Sequence, residues 1–400
     1  MPADPAPGDA PGPPSDLVER LHARPHRLVY AFAGAGALAL QWLHAVGGSS
    51  RTLLEAHDHY HPRSLAEAIG APPERAVAPE VAAALARRSF VRARELTEHD
   101  PRPGPTFGLG LTATIATDRR KRGAHRLEIA VADGLGLRSV GVELTKGARD
   151  RAGEEALIGR WVLAVMAEAS GLLGVPDPTV RPDETVRHGF EPSAPFARFL
   201  GGEVQVLRVD TDGRPAEGPP EGPPPALVSG SFHPMHDGHR RLAEAAEAHL
   251  GRPAWFEMSL GNAEKAEIRA DEAWARAAQA YGERGLVVTH EPLFSVKAEL
   301  MPGVVFVLGV DTARRVLERR FYPEPDGLDL AMERIRAAGS RFLVAGRAGP
   351  DGFRTLDDLE VPDAYDDLFE SLPAFRVDLS STEVRAGWSE TPNARDHDAS

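Results

Sequence analysis

Short apolar runs recur through the second half of the chain, at 226–229, 254–258, 286–289, 304–308 and 341–344. Such runs, bounded by Gly, Pro and charged residues, predict buried strands. Between them lie stretches with helical spacing, clearest at 270–281 and 326–338. The alternation predicts an α/β domain built on a doubly wound parallel sheet. Ligands of such sheets bind beyond the strand C-termini, at the point where strand order reverses. The first run leads directly into Gly230-Ser231-Phe232-His233-Pro234-Met235-His236-Asp237-Gly238-His239. A helix is expected to begin there, with Asp237 as its N-cap, Leu242, Ala245, Ala246 and His249 on one face, and Gly251 as its stop. That reading puts His236 and His239 together at a helix N-terminus. Free N–H groups and the positive dipole end make such a place suited to phosphate.

The first half has a pattern of its own. Ser15 and Asp16 can cap a helix through 24, strands are expected at 106–113 and 125–131, and an amphipathic helix at 153–170. Proline crowds 214–225, which neither pairs as a central strand nor continues a helix, so that stretch reads as a linker. The expected organisation is a disordered tail at 1–15, one domain at 16–175, a connecting segment at 176–225, a second domain at 226–388 and a tail at 389–400.

Composition narrows the function classes. The chain has 400 residues, 42% of them hydrophobic, enough for two or three packed domains. Its formal charge of −13 disfavours a nucleic-acid surface, since phosphate backbones are bound by clustered Lys and Arg. With no cysteine there are no disulfides, thiolate metal sites or thiol nucleophile. No run suggests a signal peptide or a membrane span, and a cytoplasmic location is the expectation. Lys265 and Lys297 are the only lysines in the C-terminal half. Lys265, after the apolar stretch 255–260, is a candidate phosphate contact, whereas Lys297 reads as an unpaired surface lysine.

The decapeptide at Gly230 resembles the HxGH signature of the nucleotidylyltransferase superfamily, in the form typical of nicotinate and nicotinamide mononucleotide adenylyltransferases. Near the C-terminus, Leu379-Ser380-Ser381-Thr382-Glu383-Val384-Arg385 resembles the element with which those enzymes hold the ATP triphosphate. Each motif also has a plain reading as a helix cap. The resemblance implies a Rossmann-like fold in which His236, His239 and Arg385 are catalytic. It also implies that Gly230, Ser231, Gly238, Lys265, Ser380, Ser381 and Thr382 bind nucleotide, with Gly230 and Ser231 supplying backbone N–H groups. The strand ending Leu308-Gly309-Val310-Asp311 and the later one ending at Arg347 resemble nucleotide-proximal strands of the superfamily. Asp311 and Arg347 join the candidates on that basis, although Asp311 also reads as the N-cap of a helix at 312–321.

The first half resembles the CinA C-terminal family, an α/β domain whose active members are amidases acting on nicotinamide mononucleotide. The elements that carry the resemblance are Val46-Gly47-Gly48-Ser49-Ser50 and the strands and helix named above. Aligned on 46–50, Ala33 stands where the nucleophilic serine is expected and Leu65 where the lysine base is expected, while Tyr60 matches the family's tyrosine. A domain without amidase turnover is therefore expected. The same domain implies a homodimer formed through the N-terminal half. Ser49 and Ser50 read as a turn and helix cap. His57, His59 and His61 alternate and could share one strand face around zinc, but a polar loop is the favoured reading, and no metal site is assigned.

The implied reaction joins a nucleoside triphosphate, ATP foremost, to a phosphate-bearing acceptor, foremost nicotinamide or nicotinate mononucleotide, with release of pyrophosphate. Magnesium would accompany the triphosphate. Two rivals stay open: a CTP-dependent cytidylyltransferase acting on a phosphoalcohol, and a noncatalytic nucleotide sensor.

Overall fold

The structure, a computed structural model, describes residues 14–101, 104–118, 123–261, 268–322, 327–349, 352–373 and 375. The chain divides into two compact units, the first ending at Ser193 and the second beginning at Ala194. Among the described residues no helix is long and apolar enough to cross a membrane.

In the first unit, strands β1 (Arg27–Ala33), β2 (Leu53–Asp58), β3 (Thr106–Thr114), β4 (His125–Ala132), β5 (Gly136–Leu144) and β6 (Thr185–Pro192) form one sheet in the order β2-β1-β3-β4-β5-β6. β1 runs parallel to both neighbours, and the later pairs are antiparallel. The helices are α1 (Ser15–His22), α2 (Ala37–Ala45), α3 (Ser49–Thr52), α4 (Pro62–Ile69), α5 (Pro79–Thr97) and α6 (Arg151–Ala169). α5 lies close against β3 because Gly108 has no side chain: a Cβ there would meet the Ala86 carbonyl oxygen at 2.1 Å. α6 is buried around most of its circumference, with Ile158, Trp161, Val162 and Leu163 sealed from solvent.

The second unit holds an α/β sheet. Its elements are α7 (Ala194–Leu200), β7 (Val206–Val209), β8 (Pro215–Glu217), β9 (Ala226–Ser229), α8 (Asp237–Leu250), β10 (Ala254–Ser259), α9 (Ala270–Ala277), β11 (Leu286–Thr289), α10 (Phe294–Leu300), β12 (Val305–Gly309), α11 (Val310–Val316), α12 (Gly327–Ala337), β13 (Arg341–Ala345), β14 (Arg347–Gly349), β15 (Gly352–Arg354) and β16 (Phe369–Leu372). The main sheet has the order β16-β13-β12-β9-β10-β11-β7-β8, while β14 and β15 pair separately. The six strands from β16 to β11 are parallel. Their order is that of a doubly wound Rossmann-type sheet, with the reversal between β9 and β12. Leu227, Phe306 and Phe342 on its central strands are fully buried, and Phe294 and Phe369 pack edge-on or stacked against that aromatic row.

The segment 176–225 is not the connector expected from its prolines. β6 closes the first sheet, whereas α7, β7 and β8 belong to the second, with β7 antiparallel to β11. Pro215 is tolerated because β8 is an edge strand with only one partner.

Candidate functional site

The histidine turn leaves β9 at the point of strand-order reversal, beside the end of β12. Gly230 starts it. A Cβ there would lie 2.8 Å from Cε1 of Phe232, whose ring folds back over the glycine. Phe232 itself adopts a left-handed backbone, φ 46°, which costs a non-glycine residue about 1–2 kcal/mol. Its ring is buried edge-on against Phe256 and His239, with centroids 5.3 and 5.1 Å away. That packing fixes where the turn delivers its histidines.

His236, not Asp237, is the N-cap of α8. The Gly238 N–H donates to Nδ1 of His236 at 3.1 Å, and the His236 N–H donates to Nδ1 of His239 at 3.2 Å. An imidazole nitrogen can accept at a cap much as an asparagine oxygen does, and the reciprocal bond satisfies a second amide. Because both Nδ1 atoms accept from backbone donors, each neutral ring carries its proton on Nε2. The two rings lie 3.9 Å apart, tilted by 32°. Burial lowers the His239 pKa to about 3, with His236, Arg240 and Arg347 adding in the same direction. His239 is therefore a neutral donor at physiological pH.

A second layer, which the motif did not reveal, holds the turn from α9 and the residues after it. The buried Gln279 accepts from the Met235 N–H and donates to the Phe232 carbonyl, both at 2.7 Å. Arg276 donates to the Ser231 carbonyl at 2.9 Å, and His233 Nδ1 lies 3.2 Å from Glu272, which also pairs with Arg276. The hydrogen bond with His233 is the largest cause holding the Glu272 pKa down to about 2. The only sequence signal for this brace was the helical spacing of 270–281.

Asp311 and Arg347, expected separately, meet: Arg347 donates to the Asp311 carboxylate at 3.0 Å. Arg347 also contributes to the depressed pKa of His239, which ties the pair electrostatically to the histidine turn. Asp311 is not the N-cap of its helix. Gly309 occupies that position and Asp311 lies in the first turn of α11, where a carboxylate favours the dipole.

Two further expectations change. The Gly230 N–H is already donated to the Glu257 carbonyl at 3.0 Å, as part of the sheet, so it does not serve a phosphate. Lys297 is not a surface lysine: it is buried in an ion pair with the equally buried Glu257 at 2.8 Å, near the Phe294 ring. Ser231 and Gly238 stay within the turn, one exposed and one buried. Lys265, Ser380, Ser381, Thr382 and Arg385 lie outside the described residues.

In the first unit, Ala33 and Leu65 are packed into one apolar cluster with Ala31, Ala68, Ala78, Val81 and Leu85. Tyr60 is 68% exposed. In the turn after β1, the N–H groups of Gly36 and Leu38 are taken by the carboxylate of Glu155, at 2.8 and 3.1 Å. Of the alternating histidines, His57 sits on β2, His59 contacts Ser64, and His61 caps α4 by accepting from the Arg63 N–H. Among the described residues no three His, Asp or Glu side chains converge as a metal site.

No family model matches the chain, and no curated protein matches it. Solved structures do. The chain is similar to the competence/damage inducible protein CihA from Agrobacterium tumefaciens, at 18% identity over 39% of this chain and 94% of that one, with a TM-score of 0.30. It is also similar to a competence-damaged protein (CinA) superfamily protein from Escherichia coli, at 19% identity over 38% and 84% of the two chains and a TM-score of 0.30. A CinA superfamily protein from Klebsiella pneumoniae matches at 14% identity over 38% and 93%, with a TM-score of 0.31.

Proposed function

We propose that the second unit is a nucleotidyltransferase that joins a nucleoside triphosphate, ATP foremost, to the phosphate of a small acceptor, with nicotinamide or nicotinate mononucleotide as the favoured acceptors. One observation carries this reading. Two imidazoles, both accepting backbone N–H groups at Nδ1 and one of them, His239, held neutral by burial, lie at a helix N-terminus beside the switch point of a Rossmann-type sheet. Such an arrangement suits phosphate, since it offers ring N–H donors where a helix N-terminus already favours an anion.

The chemistry asks little of side chains. An ionised acceptor phosphate oxygen attacks the α-phosphorus, forming one P–O bond while the bond to the β-phosphate oxygen breaks and pyrophosphate leaves. No general base is needed, and the work is alignment and charge stabilisation. In this reading the Nε2–H groups of His236 and His239 donate to phosphate oxygens. Arg347, held by Asp311, adds positive potential nearby. Magnesium enters with the triphosphate as part of the substrate. Lys265, Ser381, Thr382 and Arg385 are assigned to the triphosphate on sequence resemblance alone. The first unit is assigned no amidase activity, since apolar Ala33 and Leu65 offer neither nucleophile nor base.

The test is pyrophosphate release by the full chain with magnesium, crossing ATP and CTP against nicotinamide mononucleotide, nicotinate mononucleotide and phosphocholine. ATP- and pyridine-nucleotide-dependent release supports the reading. CTP dependence moves it to a cytidylyltransferase, and nucleotide binding with no release in any combination moves it to a sensor.

A further inference from the structure

The first unit contains a cavity of about 450 Å³ on the face of β1 and β2 that α4 and α5 cover. Its volume is within the range that holds a small metabolite. The register pairs Val29 with Glu55 and Ala31 with His57, so these four side chains share one sheet face. Val29, Ala31, Ala68 and Leu85 form an apolar floor, and polar groups from β2, α4 and α5 line the walls.

The charges in those walls are unevenly matched. Each lining carboxylate has an arginine partner: Glu55 is held by Arg92 at 2.8 Å, with Nε2 of His57 3.1 Å away, Glu67 by Arg63 at 2.9 Å, and Glu95 by Arg92 at 3.4 Å. Arg88, also in the lining, forms no ion pair among the described residues. The same lining holds the stacked rings of His57 and His59, with centroids 5.7 Å apart, and the Ser64 hydroxyl 3.0 Å from His59 Nδ1. Burial lowers the His59 pKa, and the charge of Arg88 is felt there. A guanidinium without a carboxylate, hydroxyl and imidazole donors, and an apolar floor together describe a receptor for an organic anion. The turn after β1 cannot take that role, because Glu155 already occupies its amides.

We propose that this cavity binds a small organic anion, its carboxylate or phosphate on Arg88 with His59 and its apolar body on the Val29–Ala31 floor. The site is independent of the nucleotidyl-transfer reading, and it makes the first unit a ligand-binding domain.

The experiment uses full-length protein labelled with ¹⁵N-histidine, titrated with phenyl phosphate and, separately, with benzoate to roughly 10 mM, a weak-binding range. The His57 and His59 ring signals are assigned through His57→Gln and His59→Gln. Saturable movement of those signals by either probe, weakened by about tenfold or more in Arg88→Gln, is the expected result. The probe that binds tighter identifies the phosphate or the carboxylate as the preferred group. Phosphate binding at His236 and His239 is read from separate signals and does not confuse the outcome. Unmoved His57 and His59 signals with both probes, or equal affinity in Arg88→Gln, would overturn the proposal. Arg88 is exposed and forms no ion pair among the described residues, so its substitution leaves the fold in place.

Discussion

The backbone N–H of His236 donates to Nδ1 of His239 at 3.2 Å, so the main chain of one histidine fixes the tautomer of the other. The bond also makes proton uptake at Nδ1 of His239 incompatible with the cap, since a cationic imidazole has no acceptor.

Capping by His236 can be separated from the phosphate contact proposed for it. Asparagine keeps a side-chain acceptor at the N-cap, whereas alanine loses it at a cost of about 1 kcal/mol. Neither residue supplies the Nε2–H donor. We expect His236→Asn and His236→Ala both to lower the rate of pyrophosphate release by about 10²–10³-fold, as removal of one preorganised donor does. Only the alanine variant should melt lower. Retained turnover in His236→Asn would reduce the histidine to a helix cap.

The depressed pKa of His239 predicts an acid-sensitive fold. The unfolded chain takes up this proton as pH falls through about 6.5, while the folded state resists until about 3. The contribution is thus complete above about 6.5 and is lost progressively as pH falls toward 3. His239→Gln removes the titrating group. The melting-temperature gap between parent and variant should therefore narrow from pH 7 to pH 5, and a constant gap would contradict the assignment. Direct titration by NMR should find the His239 ring neutral throughout that interval.

Much of this arrangement was legible in the chain because its signals are local. Short apolar runs ending at Ser229, Met258, Thr289 and Leu308 fall in parallel strands, and the histidine turn follows β9 as its sequence implied. What was not legible depends on contacts between distant residues. Nothing in the spacing of Gln279 says that it will reach Met235 and Phe232, and nothing at Glu257 says that an apolar strand will bury a carboxylate against Lys297. The edge strand at Pro215 was missed because proline forbids a central strand but not an outer one.

Gln279 braces the turn at two backbone groups, the Met235 N–H and the Phe232 carbonyl. Substitution by leucine keeps the volume similar but strands the Met235 N–H and the Phe232 carbonyl. Each buried polar group left unpaired costs about 1–3 kcal/mol. We expect Gln279→Leu to lower the melting temperature of the second unit and to reduce kcat more than it raises KM, because the histidines lose position while remaining present. A variant that melts like the parent would show that the turn is held without Gln279.

The Glu257 and Lys297 pair makes the sharpest prediction on stability, since both side chains are almost sealed from solvent. Lys297→Met fills similar space but leaves the Glu257 carboxylate without its cation, with only the weak Thr289 hydroxyl contact at 3.3 Å. Breaking a buried pair from one side costs about 3–5 kcal/mol, whereas replacing both partners by apolar groups of like volume is often neutral. Lys297→Met alone should therefore unfold at markedly lower denaturant concentration, and Lys297→Met with Glu257→Leu should recover most of the loss. Equal destabilisation by single and double variants would mean that the side chains matter for packing and not for their charge. Glu257 lies on β10, whose Glu257 carbonyl accepts the Gly230 N–H, so the single variant should also disturb the start of the histidine turn. Recovery of pyrophosphate release in the double variant would tie that disturbance to the unpaired charge.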